Sequence, residues 1–141
     1  MEAVSLPVFA DRDQLYRVLG AFFETLPDGP HGPLIHRVGG PILFVFHRPE
    51  ARILWEPLAG GPPEFAVHYD TEQPEPLLRF EQDADLAHRF WQGDLDLQDA
   101  LARQQIRARG PLARAMKLIP QLDPVYGAYR AFLQADGAAP A

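Results

Sequence analysis

The chain has 141 residues, a formal net charge of −6 and no cysteine. Such a length predicts one domain with a sizeable core, the missing cysteines exclude disulfides and thiolate metal sites, and the negative charge argues against nucleic acid as a partner. No apolar run reaches the roughly 18 residues a membrane span needs, and the start, MEAVSLPVFADRDQ, lacks a secretion signal, so a cytoplasmic location is expected. The end, GAAPA, is neither a prenylation box nor a peroxisomal tripeptide.

Behind an Asp11 cap, Leu15, Val18, Leu19, Phe22 and Phe23 recur at helical spacing and predict an amphipathic first helix ending near Glu24. Prolines and glycines at 26–33 then form a loop. Ile42 to His47 and Arg52 to Pro57 read as a hairpin turning at residues 48–51, and Gly60-Gly61-Pro62-Pro63 reads as a turn. Phe65 to Tyr69 and Leu77 to Glu81 follow as the third and fourth strands of a meander. Alternation places Ile42, Phe44 and Phe46 on one aromatic face with Ile53, Trp55, Phe65, Val67, Tyr69, Leu78 and Phe80. The other face, with His47, Arg52, Glu56, His68, Arg79 and Glu81, is expected to be wet.

Asp83 is read as the cap of a short helix through Leu86, Ala87, Phe90 and Trp91, stopped by Gly93. Asp94 or Asp96 caps a second through Ala100 and Leu101. Gln105 to Arg109 is a short strand with Ile106 and Ala108 on one side, Arg107 and Arg109 on the other. Pro111 opens a helix carrying Leu112, Met116 and Ile119, Pro120 ends it, and Asp123-Pro124 starts a last helix over 124–135. About the last six residues read as a frayed end. Strands followed by clustered helices predict an α+β fold: one curved, mainly antiparallel sheet of about five strands with helices covering one face.

Catalytic and metal patterns are weak. Ser5 is the lone serine and lies near the chain start, which disfavours a Ser-His-Asp hydrolase. Of His31, His36, His47, His68 and His88, only His47 and His68 share a predicted face, and two imidazoles with no carboxylate at a set spacing make no zinc site. Asp94, Asp96 and Asp99 read as caps and solvated charge, and the Gly60 turn lacks the lysine and helix of a phosphate loop. Residues 100–122 contain no acid but hold Arg103, Arg107, Arg109, Arg114 and Lys117, a basic strip on an acidic chain.

The order from Leu78 to Leu118 carries more. A strand ending near Phe80 is followed by a short helix with Leu86 and Trp91, then Gly93, then a second short helix with Leu95 and Ala100. A strand around Ile106, Gly110 and a helix with Leu112 and Ala115-Met116-Lys117-Leu118 complete the run. With the helix, loop and strands before it, this resembles the sterol carrier protein 2 (SCP2) family over residues 11–120, most specifically over 78–118. Ala102-Arg103-Gln104 replaces the family's usual glycine before the strand, and Pro111 follows Gly110 where the family tends to be polar. The resemblance implies a single SCP2-like domain over 1–141, no catalysis, no cofactor or metal, and a hydrophobic ligand, be it fatty acyl, sterol, phospholipid or quinone, held between sheet and helices.

Hydrophobic burial is non-directional, so a lipid site leaves no short motif. The expected lining is Phe44, Phe46, Trp55, Phe65, Val67 and Phe80 from the sheet, with Phe90, Trp91, Leu101, Met116 and Ile119 from the helices. The basic strip is expected at the cavity rim, where it could touch an anionic membrane. The alternative is an accessory protein for an enzyme of lipid or isoprenoid-quinone synthesis, where SCP2-like domains also occur.

Overall fold

The computed structural model describes residues 9–26, 38–58 and 65–135. Ser5, His31, His36, the loop beyond Leu26, the Gly60-to-Pro63 turn and the last six residues lie outside them. Helix α1 covers residues 12–25, with α-helical turns Arg12–Leu15 and Ala21–Thr25 on either side of a wider π-helical stretch, Tyr16–Gly20. Its cap is the expected one: Asp11 accepts from the Gln14 backbone N–H at 2.8 Å. Its apolar residues, Leu15, Val18, Leu19, Phe22 and Phe23, are all buried. The Tyr16 hydroxyl donates to Asp70 at 2.6 Å and accepts from the Arg52 N–H at 3.0 Å, tying the helix to the sheet edge. Burial, reinforced by Asp70, pushes its pKa to about 12.

Strands β1 (Ile42–His47), β2 (Ala51–Pro57), β3 (Phe65–Tyr69), β4 (Leu78–Asp83) and β5 (Ile106–Arg109) form one sheet in the order β3-β2-β1-β4-β5. The β1–β2 and β2–β3 pairs are antiparallel, as the meander predicts, and β5 adds antiparallel to β4. The fourth strand is not the end of a meander: β4 crosses the sheet and pairs parallel with β1, Ile42 opposite Leu78 and Phe44 opposite Phe80. The reason lies in β1, which is apolar at every position from Ile42 to Phe46 and buried at each of them. Such a strand needs a neighbour on either side and cover on both faces.

The crossover, residues 70–77, supplies part of that cover. Glu72 within it pairs with Arg52 of β2 and Arg79 of β4, each at 3.2 Å, and both arginines stand on the face opposite the aromatic one. Leu43, Val45 and Leu54 form a small dry cluster on that face. The face expected to be wet is therefore charged only around its margin.

Helices α2 (Ala84–Trp91), α3 (Leu97–Ala102), α4 (Leu112–Leu118) and α5 (Asp123–Ala135) follow, with a 3₁₀ turn Ile119–Gln121 before α5. Asp96 caps α3 by accepting from the Gln98 N–H at 2.9 Å. Asp83 occupies the cap position of α2 without capping it, because its carboxylate pairs with Arg48. Pro111 stands just before α4 rather than in its first turn. Against the aromatic sheet face, Phe23 packs on Trp55 and Trp91 at ring distances of 4.7 and 5.3 Å, and Phe22 packs on Tyr129 of α5 at 4.9 Å.

Gly110 takes φ +105°, and a β-carbon there would stand 2.1 Å from the Leu77 carbonyl oxygen. Gly110→Ala is therefore expected to cost about 2–3 kcal/mol in denaturant unfolding. Gly127→Ala, inside α5 with no neighbour nearer than 3.8 Å, should instead stabilise by about 0.5–1 kcal/mol.

Candidate apolar ligand site

A cavity of about 70 Å³ lies between the aromatic face of the sheet and the helices. The sheet contributes Ile42 and Phe44 from β1, Trp55 from β2, Leu78, Phe80 and Gln82 from β4, and Ile106 from β5. The cover contributes Phe90 and Trp91 from α2, Leu97 from α3, Ala115 and Leu118 from α4, then Ile119, Leu122 and Val125, with Val38 at the margin. Among the described residues, no ionisable side chain lines it. One water needs roughly 10–15 Å³, so the space is large enough to be occupied, yet a cavity lined this way stays dry or takes an apolar guest.

Six of the residues expected from sequence line this space: Phe44, Trp55, Phe80, Phe90, Trp91 and Ile119. The other five do not. Phe46 is fully buried and stacks on Phe44 at 6.4 Å, packed into solid core. Phe65 and Val67 lie on the edge strand β3, beyond Trp55, which Phe65 contacts at 5.6 Å and Val67 faces in register. Leu101 is half-buried, and α3 turns Leu97 inward instead. Met116 misses the lining because the inward stripe of α4 and the turn after it is Ala115, Leu118, Ile119 and Leu122; of the stripe expected through Leu112, Met116 and Ile119, only Ile119 belongs to it. Gln82 was overlooked, although the alternation Leu78, Phe80, Gln82 in β4 puts its side chain on the aromatic face.

The basic residues are not gathered into one rim. Ile106 and Ala108 pair with Gln82 and Phe80 on the cavity side, so Arg107 and Arg109 face the other side, opposite Glu81 and Arg79. Arg107 lies 3.8 Å from Glu81, Arg103 pairs with Asp99 at 3.1 Å, and Arg114 donates to the Val38 carbonyl at 3.2 Å. Lys117 stands exposed on the outer side of α4.

On the charged face His47 bridges two carboxylates, with Nδ1 2.9 Å from Glu50 and Nε2 2.6 Å from Glu81. The bond to Glu81, then that to Glu50, raises the His47 pKa above its usual 6.5. His47 in turn lowers that of Glu81. His68 pairs separately with Glu56 at 2.9 Å, so the two imidazoles of this face do not converge. His88 is the opposite case: half-buried against α5, 2.8 Å from the Tyr129 hydroxyl, it is pushed below 6.5 by desolvation.

No family model and no curated protein matches the sequence. Solved structures do match the fold. The sterol carrier protein domain 2 of Helicoverpa armigera is 20% identical, with 90% of this chain and 96% of that one covered at a TM-score of 0.63. Sterol carrier protein 2 from Yarrowia lipolytica, in its apo form, is 8% identical over 82% of this chain and 98% of its own, with a TM-score of 0.53. The ubiquinone synthesis protein UbiJ-SCP2 is 10% identical over 80% and 93%, with a TM-score of 0.51. The chain has the SCP2-like α+β fold.

The two shifted histidines pull stability in opposite directions. Protonated His47 favours the folded state below pH 6.5, and this contribution is lost as pH rises through its raised pKa. Neutral His88 favours it above pH 6.5, and that contribution is lost as pH falls from 6.5 through its lowered pKa. Proton NMR titration should place His47 above 6.5 and His88 below, and Glu81→Gln should move His47 back toward 6.5 while leaving His88 in place.

Proposed function

We propose that this SCP2-like chain binds and carries an apolar molecule and performs no catalysis on it. The observation that carries this reading is the cavity: sixteen lining residues among those described, none of them ionisable, set between an aromatic sheet face and helices. Such a lining offers area without acid, base or nucleophile. Burying a dozen methylenes at about 0.8 kcal/mol each yields roughly 10 kcal/mol gross, and association costs of several kcal/mol leave micromolar affinity. The sterol carrier proteins that share the fold support the same reading.

Ordinary ligand pockets hold about 300–1,000 Å³, several times the 70 Å³ of this cavity. Uptake therefore includes an outward shift of the wall. The segment 112–121 is the movable part, because of its residues only Ala115 is buried. Lys117 on its outer side would then meet an anionic membrane as the cavity opens, at roughly 1 kcal/mol per cation near such a surface. The fold shared with a ubiquinone synthesis protein favours a second reading, an accessory to an enzyme of isoprenoid-quinone synthesis. It predicts a stable hetero-complex rather than exchange with vesicles.

Ala115→Leu fills the cavity and so separates ligand space from core packing. It should hold or raise thermal stability while weakening uptake of a fluorescent long-chain acyl ester by about tenfold or more. Unchanged uptake with the cavity filled counts against the reading. Lys117→Gln should slow transfer to anionic vesicles at low salt and leave transfer to neutral vesicles unaltered; equal rates on both would remove α4 from the membrane contact.

A further inference from the structure

Helix α5 is tied to α2 by the pair His88 and Tyr129, by Arg130, which donates to the Gln92 carbonyl just past α2, and by Phe90 on Tyr126, edge to face at 5.6 Å. Of these ties the first is the one that titrates near neutrality. Tyr129 is fully buried, its ring 4.9 Å from that of Phe22. Among the described residues, His88 is the only hydrogen-bond partner of its hydroxyl, with Nδ1 at 2.8 Å.

That isolation fixes the direction of the bond. A buried O–H needs an acceptor, so the Tyr129 hydroxyl donates and Nδ1 accepts, which leaves the imidazole proton on Nε2. Protonation of His88 fills Nδ1, and an imidazolium can only donate there. The hydroxyl would then have to turn its own proton toward the rings of the core. A bond that joins two helices while His88 is neutral strands a buried donor once it is charged.

The surroundings of His88 do not offset this. Asp85 on α2 and Asp94 after it favour the charged form, but burial outweighs them. Asp85 also acts on Arg48, and Arg89 donates to the Asp94 carbonyl. From the other elements come the Phe9 and Tyr129 rings, each 5.6 Å from the imidazole, and on α5 Arg130 is engaged at Gln92.

Position couples this bond to the cavity. Val125, one turn before Tyr129 on the same face of α5, lines it, as do Ile119 and Leu122 ahead of α5 and Phe90 two residues after His88. The segment 112–121 runs directly into α5, so loosening that helix frees the end of the wall.

We infer that His88 and Tyr129 form an acid-sensitive clasp: protonation of His88 loosens α5 from α2 and opens the cavity wall, so that cargo is held at neutral pH and released in acid. This rests on the reading of the cavity as a ligand site. In the open form water reaches the imidazole and its pKa returns toward about 6.5. Acidification through that value then favours the open form, by up to about tenfold for each unit separating the open and closed pKa values. His47, on the other face of the sheet, responds with the opposite sign, since its protonation favours the folded state.

The test follows release of a fluorescent long-chain acyl ester, uncharged throughout, to phosphatidylcholine vesicles at pH 7.5 and 5.5, one unit on either side of the ordinary imidazole value. In His88→Asn the amide oxygen stands near the place of Nδ1 and accepts from Tyr129 without titrating. The unmodified protein should release the ester about threefold or more faster at the lower pH, and the variant should lose that difference. Amide hydrogen exchange over residues 122–133, corrected for the intrinsic effect of pH, should speed up in acid in the unmodified protein alone. Equal release by the unmodified protein at both pH values, or an acid response unchanged in His88→Asn, overturns the clasp. Loss of the whole fold at pH 5.5, seen by far-ultraviolet circular dichroism, overturns it as well. If His88→Asn does not fold, Tyr129→Phe decides: its release at pH 7.5 should approach that of the unmodified protein at pH 5.5, and a rate left unchanged at pH 7.5 contradicts the inference. A protein that never takes up the ester removes the ligand site, and hydrogen exchange then decides the clasp by itself.

Discussion

The constraint on which the rest depends is that β1 is apolar on both of its faces. Ile42, Phe44 and Phe46 point one way, Leu43 and Val45 the other, and all are buried. An edge position would leave one side of this strand without a partner, and an uncovered face would leave leucine and valine in water. Both are avoided when β4 pairs with β1 in parallel and the connection leading to it runs across the second face. The ion pairs of Glu72 with Arg52 and Arg79 hold that connection down. One short run of sequence thus determines strand order, the direction of β4 and the separation of a dry side from a charged one.

The cavity follows from what covers the dry side. Large flat rings project from the sheet, with Phe44 and Trp55 at 4.7 Å and Phe44 and Phe80 at 5.9 Å. Helical cover built partly from small residues, among them Ala84, Ala87, Ala100 and Ala115, cannot interdigitate fully with such rings. On the α1 and α5 side Phe22, Phe23 and Tyr129 close the gap; on the α4 side short residues and a 3₁₀ turn leave it open. The space left on this side lies beside the segment 112–121, of whose residues only Ala115 is buried. The same geometry leaves Gln82 buried at the end of that space nearest the surface.

Local features were legible in the sequence because they rest on nearest-neighbour chemistry. Alternation alone placed Phe44, Trp55 and Phe80 on a common face, the Asp11 cap was readable from its spacing, and Asp96 was one of the two caps the pattern offered for α3. Long-range pairing was not legible: β3 and β4 follow each other in the chain, and nothing local shows that β1 is the partner of both β2 and β4. Asp83 looked like a cap, but Arg48, thirty-five positions away, takes its carboxylate. In α4 a shift of one residue separates Met116 from Ala115, and both stripes are plausible for so short a helix. Gln82 was in reach, since it occupies an inward position after Leu78 and Phe80; a polar residue there was the signal.

The cavity between sheet and helices is proposed as a place for a molecule other than protein. Its most direct test is to purify the native chain without detergent, unfold it, extract it with organic solvent and identify what is released by mass spectrometry. The expected result is one class of apolar molecule in near-stoichiometric amount. A folded protein that releases nothing, and that also takes up nothing when incubated with a mixed extract of neutral lipids, would contradict the account and leave the cavity as a packing defect.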